Sequence, residues 1–253
     1  MITAVANQKG GVGKTTTSVN LSACIADLNK RVLLIDFDPQ GNATSSFGIT
    51  KSGLQGTIYD CILRGQDINT VILPTIVPNL SIVPADMELA GAEIELVTVP
   101  RREMVLKQAL SALQTQYDYI FIDCPPSLSL LTLNAFAAAD NLLVPVQSEF
   151  FALEGLTQLM NTVRLVKRQL NRRLMLEGLV LTMYDSRTNL SQQVLEELKR
   201  FFEDRVHRTL IPRNVRLAEA PSHGVPVNRY DATCPGAVAY AQLAREFCGL
   251  EGI

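Results

Sequence analysis

The segment at residues 7–17 constrains the fold most, because it joins a short apolar run to a helix-like pattern through a glycine-rich loop. It reads N-Q-K-G-G-V-G-K-T-T-T. The usual phosphate-loop pattern is G-x-x-x-x-G-K-[ST]; Gly13, Lys14 and Thr15 fit its end, but Gln8 replaces its first glycine. Glycines let backbone N–H groups point at phosphate oxygens, and a helix N-terminus attracts anions. The loop therefore predicts a phosphate site, the alternative being a glycine-rich turn without a ligand.

The phosphate-loop pattern predicts chemical roles for individual side chains. The Lys14 ammonium can reach the β- and γ-phosphates of a nucleotide, and the Thr15 hydroxyl can ligate Mg²⁺. Lys9 is a second lysine that a nucleotide held by Lys14 does not need, so it either has a separate role or faces solvent. The predicted ATP-binding residues of the loop are Lys9, Gly10, Gly11, Val12, Gly13, Lys14, Thr15 and Thr16.

Acidic residues follow two other apolar runs. Asp36 and Asp38 lie two residues apart in D-F-D-P-Q-G-N-A-T, and such residues point the same way at a strand end. Asp123 ends another apolar run, before C-P-P-S. Near a phosphate loop, one carboxylate can hold the magnesium shell and another can orient the attacking water. We predict a magnesium site of Thr15, Asp36 and Asp123 and a catalytic Asp38; the alternative for Asp36 and Asp38 is an Asx turn.

Apolar β-branched runs alternate with helical patterns, which predicts an α/β fold with a mostly parallel twisted sheet and helices on both faces. In such sheets, ligands bind at the carboxyl ends of the strands. No low-complexity linker divides the chain, so we expect a single domain over residues 1–253. The predicted strands are 2–6, 31–36, 119–123, 142–146 and 176–183, and the predicted helices are 14–28, 101–114, 129–138, 153–170 and 191–204.

Together these motifs resemble the deviant Walker A ATPases of the ParA/MinD class, a P-loop NTPase family, and within it the chromosomal, Soj-like ParA partition ATPases. Two distant segments add specificity to the resemblance, T-M-Y-D-S-R-T-N-L at 182–190 and I-P-R-N-V-R-L-A-E-A-P-S-H-G at 211–224. The similarity covers nearly the whole chain.

The resemblance implies a slow ATP hydrolase with Lys9, Lys14 and Asp38 as catalytic residues and with ATP and Mg²⁺ as ligands. It implies that Lys9 reaches the nucleotide of a partner subunit in a homodimer, and that a loop of Pro212, Arg213 and Asn214 contacts the adenine. It also implies a ParB-type centromere-binding partner that stimulates hydrolysis, and non-specific DNA binding through Arg187 and Arg216. The alternative for these arginines is a pair of ordinary surface ion pairs, with Asp185 or Glu219 as candidate partners.

The charge distribution and the two ends of the chain help to distinguish between members of the ParA/MinD class. The net charge is −2, yet residues 151–220 hold 12 Lys and Arg against 8 Asp and Glu; this region suits a polyanion or is simply the solvated side of helices. The phosphate loop begins too early for an N-terminal helix-turn-helix domain, and the last ten residues contain acids but no lysine, so we expect no membrane helix. We expect a cytoplasmic, nucleoid-associated protein.

Two other interpretations stay open. The chain could be a MinD-like cell-division regulator, or a small-molecule kinase or ligase on the same scaffold. A metabolic enzyme needs a substrate pocket with dedicated polar groups, which the sequence does not reveal. DNA retention that requires ATP would distinguish partitioning from metabolism. The five cysteines form no C-x-x-C pair, which argues against a disulfide framework or a zinc ribbon.

Overall fold

The computed structural model describes residues 1–113, 116–149 and 152–250. Within them, seven strands form one sheet in the order β3-β4-β2-β5-β1-β6-β7, and every neighbouring pair is parallel except β3 with β4. This confirms the predicted mostly parallel sheet. The strands are β1 Ile2–Val5, β2 Val32–Asp36, β3 Leu73–Pro74, β4 Leu80–Val83, β5 Tyr119–Asp123, β6 Asn141–Gln147 and β7 Met175–Thr182.

Helices connect the strands and follow the sheet. None of those in the described ranges is both long and apolar enough to cross a lipid bilayer. The helices are α1 Lys14–Asp27, α2 Asn42–Ser45, α3 Leu89–Glu95, α4 Val105–Leu110, α5 Leu130–Ala138, α6 Ala152–Gln169, α7 Asn189–Phe202, α8 Arg216–Glu219, α9 Val227–Tyr230 and α10 Pro235–Phe247.

The core has two layers, one on each face of the sheet, because successive strand residues point to opposite sides. In β2, Leu33 and Ile35 join the layer that contains α5 and α6. Val32 and Leu34 join the layer that contains α1 and α10. All five residues of β2 are buried, as expected for a parallel strand covered on both faces. The prediction of helices on both faces is confirmed.

The predicted helix over 101–114 is wrong in its extent. Arg101 has φ 55°, in the left-handed region that a right-handed helix cannot include. A 3₁₀ turn at Arg102–Met104 follows, and α4 covers only Val105–Leu110. Gln114, the last residue of that predicted helix, lies outside the described residues. The other predicted helices and strands agree with the structure to within two residues at each end.

Candidate nucleotide-binding site

The glycine-rich loop lies at the carboxyl end of β1 and leads into α1, as predicted. Gly11 and Gly13 have φ values of 73° and 85°, a region that L side chains rarely adopt. Gly13 stands at the N-cap of α1, where no side chain accepts from the first turn. The N–H groups that begin α1 are therefore left for an external anion, which is the property that a phosphate site requires.

Lys14 is held inside this loop. Its side chain is buried, and its ammonium donates to the Lys9 carbonyl at 2.9 Å. Burial lowers the pKa of Lys14, and the nearby Asp123, Cys124 and Asp38 oppose that shift. The Thr182 hydroxyl donates to the Val12 carbonyl at 2.9 Å, which ties the loop to the end of β7. The loop is thus folded around a cation at the sheet edge.

Asp36 and Asp123 end the adjacent strands β2 and β5 and are paired in register. Both residues are fully buried. One Asp36 oxygen accepts from the Thr44 backbone N–H and from the Thr44 hydroxyl, each at 2.7 Å. Asp123 Oδ1 accepts from the Ser18 hydroxyl at 2.8 Å. The structure therefore brings together two carboxylates that are 87 positions apart in the sequence.

Burial raises the pKa of both carboxyls, and the proximity of Asp36 raises that of Asp123 further. The nearby Thr15 hydroxyl and the hydrogen bond from Ser18 partly offset the upward shift of the Asp123 pKa. Asp123 Oδ2 is buried and has no hydrogen-bond partner among the described residues. A buried oxygen of this kind is a site where a cation would lower the free energy.

These residues fit Mg²⁺. This ion takes one or two protein carboxylates together with waters and substrate phosphates, rather than an all-protein cage. The described part of the chain accordingly contains no group of three or more His, Cys, Asp or Glu arranged for a metal. The fitting donors are the Thr15 hydroxyl and the carboxylates of Asp123 and Asp36, the residues that the sequence predicted.

Asp38 is also buried, but its carboxylate is engaged in a turn. Asp38 Oδ1 accepts from the Gln40 backbone N–H at 2.9 Å. This is the Asx-turn contact of the alternative interpretation. Asp38 lies close enough to Lys14 to raise the lysine pKa. Its assignment to the attacking water stays a prediction.

Lys9 forms an ion pair with Glu149, which follows the end of β6. The side chains of Lys9 and Glu149 are 38% and 45% exposed. Gln147 donates to the other Glu149 oxygen at 2.5 Å, and the Lys9 backbone N–H donates to Asn7 Oδ1 at 3.0 Å. Lys9 is therefore a half-exposed side chain that has an ion-pair partner in its own chain.

A cavity of about 340 Å³ opens beside the loop. The Tyr184 backbone N–H donates to the Ile211 carbonyl at 2.9 Å, which holds the segment after Ile211 against the end of β7. The predicted adenine loop and the phosphate loop therefore line the same space, whose size suits an aromatic base. Its lining includes Gly13, Thr16, Pro212, Arg213, Asn214 and Tyr240.

Arg187 lies in the turn after β7, whereas Arg216 is the first residue of α8 rather than a loop residue as predicted. The two segments are neighbours, since the Arg213 backbone N–H donates to the Tyr184 carbonyl at 3.3 Å. Arg187 pairs with Asp185 at 2.7 Å, and Arg216 pairs with Glu219 at 2.8 Å. The Arg187 side chain is 87% exposed. Exposed pairs of this kind contribute only about 0–1 kcal/mol, so each can exchange its carboxylate for another anion. The assignment of these arginines to DNA stays a prediction.

The site also uses residues to which the sequence interpretation gave no role. Thr44 holds Asp36, Ser18 holds Asp123 and Glu149 holds Lys9. Thr44 is the last residue of the D-F-D-P-Q-G-N-A-T motif, and Ser18 lies one helical turn after Lys14. Both residues could therefore have been identified from their positions in the sequence. Glu149 could not, because its partner is 140 residues away.

Comparisons with known proteins agree with this geometry. Residues 1–176 match the family model described as an AAA domain. The chain is 58% identical to the sporulation initiation inhibitor protein Soj of Bacillus subtilis, covering 97% of both chains. It is 51% identical to the chromosome partitioning protein ParA of Myxococcus xanthus, covering 97% of this chain and 87% of that protein. A solved structure of cobyrinic acid a,c-diamide synthase from Mycobacterium smegmatis with bound ADP and magnesium is 36% identical, with a TM-score of 0.86 over 98% of this chain and 93% of that one.

Proposed function

This chain belongs to the Soj/ParA family of chromosome-partitioning ATPases, and from that premise we propose that it is an ATP-driven, DNA-binding switch that acts in chromosome or plasmid partitioning. The observation that carries the proposal is the buried pair of Asp36 and Asp123 beside a loop whose glycines leave the start of α1 open to phosphate. We propose ATP and Mg²⁺ as the ligands, in keeping with the ADP and magnesium held by the similar solved structure.

The proposed reaction is phosphoryl transfer from ATP to water. Lys14 and the α1 N–H groups hold the phosphates, and Thr15, Asp36 and Asp123 hold Mg²⁺. When bound, Mg²⁺ neutralises charge that develops on the phosphate oxygens. Asp38 orients the attacking water, which requires it to exchange the Gln40 N–H contact for a water. Catalysis of this kind consists mainly of positioning and charge stabilisation, so we expect slow turnover without a partner.

Dimerisation and DNA binding follow from nucleotide state in this proposal. Lys9 leaves Glu149 to reach the nucleotide of a second copy, so the dimer depends on ATP. Two copies then present Arg187 and Arg216 together, which raises DNA affinity by multivalency. The contacts are to phosphates and carry no sequence information. A ParB-type partner stimulates hydrolysis, which ends DNA binding. Because the ATP-bound form binds chromosomal DNA in this proposal, we propose that the protein is found on the nucleoid in the cytoplasm.

The identities favour this role over a metabolic one. The partitioning relatives are 58% and 51% identical, whereas the structure named for a synthase is 36% identical. The latter supports a shared nucleotide scaffold rather than a shared substrate.

Sedimentation with duplex DNA tests the proposal. We expect the protein to sediment with DNA in the presence of ATP and Mg²⁺, and to stay in the supernatant with ADP or without Mg²⁺. Light scattering on the same samples reports the dimer. DNA retention that is equal with and without ATP would contradict the switch and return attention to the metabolic alternative.

A further inference from the structure

The residue that follows β7 has a strained backbone. Met183 has φ 52°, in the left-handed region that a residue with a side chain rarely adopts. Both of its neighbours are tied to other segments. The Thr182 hydroxyl donates to the Val12 carbonyl of the phosphate loop, as described above, and the Tyr184 backbone N–H donates to the next segment of the cavity wall. Met183 itself lines the cavity beside the phosphate loop. Such a conformation persists only where the surrounding contacts hold it in place.

A series of three hydroxyl groups, which we call the hydroxyl relay, leads away from Met183. The Ser148 hydroxyl donates to the Met183 carbonyl at 3.2 Å. The Ser191 hydroxyl donates to Ser148 Oγ at 3.1 Å, and the Thr188 hydroxyl lies 2.9 Å from Ser191 Oγ, to which it can donate. Both serines are buried. Because each hydroxyl donates to the next in the same direction, the bonds strengthen one another, and removal of one member leaves a buried neighbour unpaired.

The far end of the hydroxyl relay holds the turn that carries Arg187. The Asp185 backbone N–H donates to Ser191 Oγ at 3.4 Å. The Asp185 carboxylate in turn accepts from the Arg187 backbone N–H at 3.0 Å and from the Arg187 guanidinium at 2.7 Å. Thr188 is also the N-cap of α7, where Oγ1 accepts from the Ser191 backbone N–H at 3.3 Å. The relay therefore fixes the turn relative to the ends of β6 and β7.

The near end of the hydroxyl relay lies beside the phosphate loop. Glu149, whose carboxylate pairs with Lys9, directly follows Ser148 in the sequence. The Ser148 backbone N–H donates to the Thr182 carbonyl at 3.3 Å, and the Thr182 side chain contacts the phosphate loop. A departure of Lys9 from Glu149, or a shift of the phosphate loop around a nucleotide, would therefore act on the segment that contains Ser148.

We propose that Ser148 and Ser191 are positioning residues that couple the nucleotide site to the Arg187 turn, so that the DNA affinity of the turn depends on the bound nucleotide. They act through the Met183 carbonyl at one end and the Asp185 backbone N–H at the other. The inference rests on the proposed function, because it takes ATP-dependent DNA binding from there.

Equilibrium binding of duplex DNA by the ATP-loaded protein tests the hydroxyl relay. Ser191→Ala should bind ATP and form the dimer like the wild type. Its dimer should bind DNA about ten-fold more weakly, since a buried hydrogen bond is lost in each of two copies. The log–log salt slope should keep its wild-type value, because no cation is removed. Ser22→Ala is the matched control: it removes a buried serine hydroxyl that has no hydrogen-bond partner among the described residues, and it should bind DNA like the wild type.

A double-mutant cycle gives an independent measurement. Ser148→Ala should weaken DNA binding as much as Ser191→Ala, and the double variant should bind no more weakly than either single one, because the relay is broken only once. Linkage supplies a further readout that loss of packing would not change. DNA should raise the ATP affinity of the wild type, and by a smaller factor that of each variant.

Four results would overturn the inference. Wild-type DNA affinity in Ser191→Ala, or in Ser148→Ala if Ser191→Ala does not fold, rejects the relay and leaves the proposed function intact. Additive losses in the double variant show that the two serines act separately. Loss of the ATP-dependent dimer in both single variants assigns the serines to assembly. Wild-type DNA binding that does not respond to ATP rejects the proposed function and the relay with it.

Discussion

The Lys9 ammonium is paired with the Glu149 carboxylate across the sheet edge, so the extra lysine of the phosphate loop already has a partner in its own subunit. A lysine that is to contact the nucleotide of a second copy must leave this pair. In the dimer that we propose, Glu149 would therefore compete with the second copy's nucleotide for Lys9. We expect Glu149→Gln to strengthen the ATP-dependent dimer by about 30-fold at most, since a symmetric dimer breaks two half-exposed pairs and each contributes roughly 0–1 kcal/mol. Analytical ultracentrifugation across protein concentrations measures it, and a weaker dimer would show that Glu149 acts in the assembled state.

Substitutions of the two loop lysines, Lys9 and Lys14, should have different effects. Lys14→Ala should lose nucleotide binding, because it removes the buried cation around which the loop is folded. Lys9→Ala should bind ATP as a monomer and fail to form the ATP dimer. Nucleotide titration by calorimetry and sizing by light scattering, on both variants, make the comparison. Normal dimerisation of Lys9→Ala would rule out its role in a second copy.

Asp38 is predicted to orient the attacking water despite its contact with Gln40. Asp38→Ala should bind ATP, dimerise and stay dimeric, with single-turnover hydrolysis slowed by about 10²-fold or more. Asp38→Asn is the matched variant, because it keeps an oxygen that can accept from Gln40 while losing the charge. If both variants hydrolyse ATP at the wild-type rate, Asp38 is a turn-capping residue only.

Arg187 and Asp185 form an exposed pair that DNA phosphate should break. Arg187→Ala should weaken ATP-dependent DNA binding and lower the log–log salt slope by about 0.9 per lost contact, hence about twice that in a dimer. Asp185→Asn should strengthen DNA binding, because the arginine no longer has a competing carboxylate. Arg216→Ala should weaken DNA binding and lower the salt slope in the same way as Arg187→Ala.

Salt titrations of DNA binding measure the slopes. Arg172→Ala, at an exposed arginine between α6 and β7, serves as the control and should leave the slope unchanged. An unchanged slope in Arg187→Ala and Arg216→Ala, with a reduced one in the control, would move the DNA surface to the basic cluster at 164–173.

A buried histidine predicts how stability depends on pH. His207 contacts Glu177 at 3.0 Å and Glu246 at 3.2 Å. Burial lowers the pKa of His207, but the hydrogen bond to Glu177 and the charges of both carboxylates outweigh it, so the net pKa is raised. A raised folded-state pKa stabilises the protein below the unfolded value of about 6.5, and the contribution is lost as the pH rises through the folded value.

We therefore expect His207→Gln to lower the free energy of unfolding by about 1–3 kcal/mol at pH 6 and by less at pH 9. Urea unfolding of both proteins at the two pH values gives the difference. An equal loss at both values would show that His207 acts through packing rather than charge.

Much of this protein could be predicted from local sequence. Short stretches of neighbouring residues are enough to predict five of the seven strands, the phosphate loop and the acids that end β2 and β5. A glycine before a lysine and a helix, or an acid at the end of an apolar run, has a local physical meaning. Strand β3 is only two residues long, and β4, although as long as β1, has its apolar run interrupted by Ser81; the sequence interpretation missed both strands.

Contacts between distant segments were decided only by the tertiary structure. The partners Lys9–Glu149, Ser18–Asp123 and Glu177–His207–Glu246 come from distant segments of the chain, and nothing in one segment specifies the other. The pairs Arg187–Asp185 and Arg216–Glu219, by contrast, join residues two and three positions apart, so their partners could be named from local sequence. The sequence determined which chemical groups reach the carboxyl edge of the sheet, because the end of each strand can be recognised from its neighbouring residues. The fold decided which of these groups meet, because contact depends on the order of the strands in space.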